Sequence, residues 1–104
     1  MCHWQRVPIE LADVFLPSAP GVYTVMSAKA GNRNHSGRYT RVIYIGCSQN
    51  MQKRWALGHH KLLPCLREGG KEIRYFISED YKNLEEIMIA KLTPSLNGTA
   101  SGCY

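Results

Sequence analysis

Two tyrosines are the first residues of this sequence that could do chemistry. Tyr23 lies in "GVYTV" and Tyr44 in "RVIYIGCS", and each has β-branched neighbours within a short predicted strand. Aromatic residues are enriched in strands for packing reasons alone, so residue type by itself favours a structural role. A phenol, with a reference pKa of about 10, acts as a general base only when a nearby cation eases its deprotonation. Other residues must therefore decide between the two roles.

A carboxylate beside the predicted core is the second chemical signal. Glu85 lies at the edge of the apolar stripe of a helix predicted over residues 81–92, whereas Glu86 should be the more exposed of the two. A carboxylate in this position must be ion-paired, hydrogen-bonded or metal-bound to offset its desolvation. The pattern alone leaves open whether Glu85 binds a metal or forms a salt bridge with Arg54 or Lys91.

The elements that would position these side chains follow from hydrophobic periodicity. The residues between the two tyrosine strands are rich in Gly, Asn and Ser and predict a long hairpin connection. The order β-β-α-β-α, with a leading helix, predicts an α+β (α/β) fold in which a small antiparallel sheet is covered by helices. The predicted elements are a helix over 8–15, strands over 21–25, 41–48 and 72–78, a helix after Gly46 that ends or kinks at Pro64, and a helix over 81–92.

Two patterns predict which faces are buried. In the second strand, Ile43 and Ile45 share one face and are the better core candidates, which leaves Tyr44 free to face a cleft. In the last helix, apolar residues recur at helical spacing. The predicted buried stripe of that helix is Leu84, Ile87, Met88 and Leu92.

The composition is that of a globular chain, with 44% hydrophobic and 20% charged residues among 104. This length predicts one domain over residues 1–104. No apolar run approaches the roughly 20 residues that cross a bilayer, and no secretory signal is evident, so we expect a cytoplasmic protein without a membrane partner. The four cysteines are scattered, and we expect free thiols rather than disulfides. The irregular spacing of His59, His60 and Cys65 disfavours a zinc site.

The charge balance favours a polyanionic partner. Thirteen Lys and Arg against eight Asp and Glu give a net charge of +5 and a sequence pI near 9.2. Basic side chains that neutralise phosphates release condensed counterions, which drives nucleic-acid binding. The candidate nucleic-acid-binding residues are Arg38, Arg41, Lys53, His59, His60 and Lys61.

Five short motifs, taken in order, resemble the GIY-YIG nuclease family. The resemblance runs from about residue 20 to 97, and each motif falls on the expected kind of element. Within it, "YIGCSQNMQKRW" is similar to the second block of the family and "LEEIMIAKLTPSLN" to its glutamate-to-asparagine block. The five motifs are "GVY" at 21–23, "YIG" at 44–46, Arg54 in the following helix, Glu85 in a later helix, and "PSLNG" at 94–98.

The resemblance implies a three-stranded antiparallel sheet flanked by helices, and divalent-metal-dependent hydrolysis of DNA phosphodiester bonds. It implies that Glu85 holds one Mg²⁺ or Mn²⁺ at the scissile phosphate, a hard cation on a hard oxygen. Arg54, which is always charged, would stabilise the charge that develops in the transition state. Tyr23 and Tyr44 would divide two roles between them, general base and positioning of water or phosphate, and the sequence leaves open which tyrosine is the base.

Three positions are expected to be structural. They are Gly21 and Gly46 in the two tyrosine motifs, and Asn97, which resembles the closing asparagine of the family and would tie the chain end back to the sheet.

The sequence also departs from the family pattern. The gap of twenty residues between Tyr23 and Tyr44 is long, so the basic hairpin is a candidate DNA-contacting insertion. Several relatives carry a lysine directly after the YIG glycine, where this chain has Cys47. If such a lysine lowers a tyrosine pKa, another basic residue must replace it. The candidates are Lys53, His59 and His60.

Two functions of different classes are consistent with the resemblance. The first is a small DNA endonuclease that nicks or cuts in a structure-directed way, with one metal per site and a homo-oligomer or a recognition partner as the source of specificity. The second is a catalytically weak or inactive nucleic-acid-binding module of the same fold. The joint presence of Arg54 and Glu85 favours the first.

Overall fold

In this computed structural model the chain is described over residues 4–27, 41–56, 58–92, 94 and 96–97. A short strand and a short helix precede the two tyrosine strands, and two helices, a strand and a last helix follow. The elements are β1 (Gln5–Pro8), a 3₁₀ turn (Ile9–Leu11), α1 (Ala12–Phe15), β2 (Gly21–Ser27), β3 (Arg41–Ser48), α2 (Met51–Ala56), α3 (Leu62–Arg67), β4 (Gly70–Ile77) and α4 (Tyr81–Leu92).

The sheet has four antiparallel strands in the order β1-β4-β2-β3, so the expectation of three strands is wrong. The additional strand β1 pairs with β4, where Val7 lies opposite Ile73 and both side chains are buried. Pro8 has no N–H to donate to a ladder and ends this short edge strand. Strand β2 lies between β4 and β3, and Tyr23 on β2 is directly opposite Gly46 on β3.

Strand β3, which carries the second tyrosine, is irregular, and the prediction that Ile43 and Ile45 share a face is therefore wrong. The pairing of β2 with β3 shifts register after Val25, so that Tyr44 and then Val42 find partners while Ile43 is skipped. An extra residue of this kind locally redirects the side chains of the bulged strand. Ile43 consequently packs beside Tyr44 in one core cluster, and Ile45 packs in the other.

Helix α4 has the predicted bounds but only part of the predicted buried face, since Leu84 and Met88 are partly buried against a core cluster. Ile87 and Leu92 are 45% and 49% exposed, whereas Glu85 and Ile89 are buried. Residues four apart lie on the same side of a helix, so the face that α4 turns toward β3 and β2 carries this pair. Glu86 is exposed, as its position predicts.

The helix predicted after Gly46, ending or kinking at Pro64, is interrupted. Asn50 caps α2, since its Oδ1 accepts a hydrogen bond from Lys53 N at 3.0 Å. The helix ends at Ala56, and Gly58 then adopts a left-handed φ of +88°, which residues with a Cβ rarely occupy. Pro64 lies inside α3, in its first turn, where a missing N–H is tolerated. The break places both histidines of the "GHH" sequence in the connection between the two helices.

The far edge of the sheet is closed by the C-terminal part of the described chain. Leu96 N donates to Ile43 O at 2.9 Å. The amide of Asn97 spans the backbone of Ile45, accepting from its N–H at 2.7 Å and donating to its carbonyl at 2.8 Å. Asn97 is buried, so these bonds satisfy edge groups of β3 that would otherwise lack partners.

The two cysteines in the described part of the chain differ from each other. Cys65 is a free, buried thiol, whereas Cys47 is disulfide-bonded, so free thiols are the wrong expectation for Cys47. Disulfides are rare in reducing compartments, and this bond does not favour the predicted cytoplasmic location. Among the helices of the described ranges, none has the length and apolar character that a membrane crossing requires.

Candidate active site

The site is built around the phenol of Tyr23. Its side chain is fully buried, and its Oη lies 2.7 Å from Nε2 of His59. The ring passes directly over Gly46 on the neighbouring strand, where a Cβ would stand 2.7 Å from Cε1, Cζ and Oη of Tyr23. A side chain at position 46 would therefore displace the phenol. The glycine of the YIG motif is required by this close approach.

The ring of Tyr23 belongs to an aromatic cluster that also contains the rings of Tyr44, Trp55, His59 and His60. The ring of His59 stacks on Trp55 at 4.2 Å and 22°, and meets the edges of both tyrosines at near-perpendicular angles. Trp55 also contacts Tyr23 edge-on, with ring centroids 5.5 Å apart. His60 continues the stack outward from His59, at 5.0 Å and 12°. Tyr23, Tyr44, Trp55 and His59 are all buried, so the cluster holds each ring in one orientation.

The hydrogen bonds of His59 define its tautomer. Its Nδ1 accepts from the backbone N–H of Lys61 at 3.1 Å, so that nitrogen carries no proton. Burial, with the charges of Arg54, His60 and Lys61, lowers the pKa of His59 from 6.5 to about 3, and the ring is neutral at pH 7. The one ring proton is then on Nε2, which donates to Oη of Tyr23. His59 therefore acts as a hydrogen-bond donor to this phenol and does not accept its proton.

The other three predicted catalytic residues are among the groups whose charges act on Tyr23. The pKa of Tyr23 is raised well above its usual value by burial and then by charge on Tyr44, and Glu85 raises it further. Arg54 acts in the opposite direction and lowers it. The structure thus brings Tyr44, Arg54 and Glu85 close enough to one buried phenol for their charges to act on it.

Arg54 reaches this site from α2 and is held by the second histidine. Its Nη2 lies 2.7 Å from Nδ1 of His60. The guanidinium is always protonated and can only donate, so Nδ1 of His60 is the acceptor. The sequence places Arg54 near the end of α2, one residue before Trp55, so the cationic side chain and the ring that supports His59 come from one helical turn.

Glu85 is the residue that could hold a divalent metal. It is fully buried on α4, and the described part of the chain contains no group of three or more His, Cys, Asp or Glu residues that could hold a metal ion. A single carboxylate suits Mg²⁺, which usually keeps several waters and binds through one or two carboxylates and substrate phosphates. The charge and the hard oxygen donors of Glu85 therefore fit the cation that the sequence predicts.

The remaining predicted site residues are dispersed. Arg41 is half-buried and lies 3.8 Å from Glu68, and Lys53 is exposed on α2. Lys61 is half-buried, and its backbone rather than its side chain contacts His59. His59 itself lies in the aromatic cluster and not on the surface where a nucleic-acid contact was predicted. Arg38 lies outside the described residues.

Gly21, the other predicted structural glycine, faces a crowded environment. A Cβ there would collide with the carbonyl oxygen of Phe76, and would stand 2.6 Å from Cε of Met51. Position 21 can therefore hold only glycine unless β4 or α2 shifts. This glycine lets β2 and β4 approach beside the first turn of α2.

Two residues beside Tyr23 are not among the predicted catalytic or binding residues. One is Trp55, whose ring stacks on His59, and the other is Cys65, which was considered only for the disfavoured zinc site. Cys65 is buried, and its pKa is raised to about 12 by burial despite an opposing effect of Lys61, so the thiol is neutral. Spacing along the chain carries no signal for either contact, because both depend on the helix break at Gly58.

Comparison with known proteins identifies the fold. No protein-family model and no curated protein sequence matches the chain. It is similar to the crystal structure of the GIY-YIG N-terminal endonuclease domain of UvrC from Thermotoga maritima bound to its catalytic divalent cation, magnesium, with a TM-score of 0.64 and 23% identity over 86% of this chain and 94% of that chain. It is also similar to a tyrosine-to-phenylalanine mutant of that domain, with a TM-score of 0.63 and 21% identity over 86% of this chain and 94% of that chain. An asparagine-to-alanine mutant of the domain matches with a TM-score of 0.59 and 20% identity over 84% of this chain and 91% of that chain.

These structural similarities identify the fold of the chain. The chain has the GIY-YIG fold, an α+β arrangement of an antiparallel sheet and helices. The resemblance that the sequence motifs predict is confirmed in this respect.

Proposed function

We propose that this protein is a divalent-metal-dependent endonuclease that hydrolyses phosphodiester bonds in DNA. The observations that support the proposal are the neighbouring rings of Tyr23 and Tyr44, with centroids 6.5 Å apart, and the electrostatic effect of Arg54 and Glu85 on the buried Tyr23 phenol. A phenol, a fixed cation and a buried carboxylate together supply the groups that a phosphodiester hydrolase needs. The similarity to an endonuclease domain bound to magnesium supports the same conclusion.

In the proposed reaction, Arg54 stabilises negative charge on the scissile phosphate. Its guanidinium keeps its proton at all working pH values, so it can clamp phosphate oxygens but cannot transfer a proton. The hydrogen bond to His60 limits the directions in which it can point. An oriented donor of this kind costs little reorganisation when the charge develops, which is why such groups stabilise transition states strongly.

We assign the proton transfer to Tyr44 and a positioning role to Tyr23. Burial and the charges of Tyr44 and Glu85 raise the pKa of Tyr23, so it remains a neutral phenol at pH 7. Its oxygen accepts from His59, and its own O–H is then the group that can donate to water or phosphate. Charge on Tyr44 is one of the causes that raise the pKa of Tyr23, which favours a protonated Tyr23 and supports assigning the proton transfer to Tyr44.

Glu85 would hold the metal, Mg²⁺ or Mn²⁺. When bound, the cation supplies Lewis-acid stabilisation of a phosphate oxygen. Attraction between a carboxylate and a cation is stronger in a water-poor environment than at the surface, and Glu85 is fully buried. The +5 net charge of the chain favours approach of the DNA polyanion. Nicking or structure-directed cutting, and a second subunit or recognition partner, remain parts of this proposal.

The test compares DNA cleavage by the wild type, Glu85→Gln and Glu86→Gln. The two substitutions remove the same charge from adjacent positions of α4, one buried and one exposed. Supercoiled plasmid and a branched duplex are incubated with enzyme and Mg²⁺, with EDTA as the metal-free control. We expect cleavage by the wild type and Glu86→Gln, and a loss of at least about 100-fold for Glu85→Gln.

Two results would count against this function. Equal cleavage by both variants would remove Glu85 from the chemistry. Salt-dependent binding of DNA without any metal-dependent product would favour a non-catalytic nucleic-acid-binding module of the same fold.

A further inference from the structure

The second histidine of the α2–α3 connection has a defined orientation although it is exposed. The ring of His60 lies nearly parallel to that of His59, 5.0 Å away, and His59 is in turn stacked on the buried ring of Trp55. A three-ring stack anchored in the core fixes the plane of the outermost ring. The lone pair of an imidazole nitrogen lies in that plane, so the stack also fixes the direction in which Nδ1 of His60 accepts a hydrogen bond.

The partner at that nitrogen is Arg54. The distance of 2.7 Å between Nη2 and Nδ1 is a short hydrogen bond with a charged donor, the stronger class of such bonds. An arginine side chain has many rotamers, and holding it in one of them before substrate binds removes an entropic cost. The same guanidinium is close enough to Tyr23 for its charge to lower the pKa of that phenol.

We propose that His60 is a positioning residue for Arg54, and that its stacked, neutral ring orients the guanidinium for the phosphate. This inference rests on the nuclease function proposed above. It assigns to His60 a different task from direct nucleic-acid binding, which the sequence alone predicted. It also explains why two consecutive histidines are useful at this point: His59 donates to Tyr23, and His60 accepts from Arg54.

The arrangement makes the arginine sensitive to acid. A proton on Nδ1 of His60 would remove the acceptor and set two positive groups against each other. Among the described residues, His59 stacks on this ring, and Arg54 and Lys61 act on it with their positive charges. Burial and then the charges of Arg54 and Lys61 lower the pKa of His60, in keeping with a ring that stays neutral at pH 7. Below that pKa, the hydrogen bond from Arg54 to Nδ1 of His60 is lost.

Two substitutions at position 60 separate the ring from the acceptor. His60→Phe keeps a ring that can stack on His59 but offers Arg54 no lone pair. His60→Asn places an amide oxygen near the position of Nδ1 and does not titrate between pH 5 and pH 8. The kinetic constants kcat and KM for cleavage of a short duplex are measured for both variants and the wild type from pH 5 to pH 8, and thermal unfolding is followed to verify folding.

We expect His60→Phe to lower kcat by about 10-fold or more at pH 7, because an oriented hydrogen bond to a charged group is lost. His60→Asn should recover most of that loss. It should also lose less activity than the wild type between pH 7 and pH 5. A His60→Phe enzyme with the kcat of the wild type, or an acid limb that His60→Asn leaves in place, would overturn the proposal.

A second measurement keeps this result separate from the nuclease function itself. Nitrogen-15 NMR of the histidine rings reports which nitrogen of His60 carries the proton, whether or not the protein cleaves DNA. We expect the Nε2–H tautomer, and a His60 pKa that rises in Arg54→Met. The opposite tautomer, or a pKa unchanged in Arg54→Met, would refute the Arg54–His60 interaction even in an active enzyme. If the wild type cuts no DNA, the proposed function fails, and the NMR result alone decides whether the interaction exists.

Discussion

Mild acid should destabilise this protein, and the largest contribution should come from His59. In the fold its pKa is about 3, whereas the unfolded chain titrates it at 6.5. Between these two values the unfolded state binds a proton that the folded state does not, so the free energy of unfolding falls as pH falls. From pH 7 to pH 5 this linkage amounts to about 2 kcal/mol. For a domain of this size the corresponding decrease in Tm is roughly 8 to 16 °C.

The assay is urea unfolding at pH 7 and pH 5 for the wild type and His59→Gln. Glutamine can still donate from its amide to Oη of Tyr23 but does not titrate, so most of the pH dependence should disappear. His60→Gln is the matched control. His60 is exposed, and its contribution to the pH dependence is smaller, so this variant should keep most of the wild-type difference. Equal losses of stability in the wild type and His59→Gln would refute the assigned pKa and its cause.

Three further predictions follow from the same contacts. Gly46→Ala should lower the free energy of unfolding by about 2–4 kcal/mol in urea unfolding, because its Cβ displaces the ring of Tyr23. If the losses of Gly46→Ala and Tyr23→Leu simply add in the double variant, the collision between the two side chains is contradicted. Asn97→Ala should cost about 2–4 kcal/mol, since two buried backbone groups of Ile45 lose their partner, and an unchanged Tm would show that the contact does not matter. In single-turnover cleavage, Tyr44→Phe should lower the rate by about 100-fold or more and Tyr23→Phe by less; the reverse order would exchange their roles.

The sequence predicts the elements that carry strong periodicity or strong chain breaks. The helix over residues 81–92 is confirmed with the predicted bounds, and the two tyrosine strands pair as expected. The first strand was missed because Gln5–Pro8 is only four residues long and buries one side chain, Val7, so it has no visible alternation. The break of the central helix at Ala56 was missed because Gly58 is a weaker sequence signal than Pro64, yet the backbone needs its positive φ.

The candidate site residues were proposed partly from residue type and partly from the family resemblance. Tyr23, Tyr44 and Glu85 were singled out by residue type and position in their elements, and Arg54 by its place in the family pattern. In the structure, charge on Tyr44, Arg54 and Glu85 acts on the buried phenol of Tyr23. The pattern placed Glu85 only at the edge of an apolar stripe, whereas the fold buries it completely. The hydrogen-bonding roles of the histidines could not be predicted, because they depend on ring orientation and on a backbone N–H that only the folded connection supplies.

The ring stack that supports the candidate site could not be predicted from the sequence for a related reason. The stack of Trp55, His59 and His60 requires a helix end, a left-handed glycine and a turn in the correct order, and a hydrophobic pattern encodes none of these directly. Such contacts are set by tertiary packing, which overrides local propensity. They decide how the chemical groups are oriented, while the sequence motifs indicate only which groups are present.

The most direct test of the proposed function is a crystal structure with DNA and Mn²⁺, measured at a wavelength where manganese scatters anomalously. We expect one anomalous peak at the carboxylate of Glu85, with a DNA phosphate between that metal and the guanidinium of Arg54. A peak bound elsewhere, or DNA bound at a distance from the phenols of Tyr23 and Tyr44, would contradict the claim that these four side chains form one phosphodiester-cleaving site.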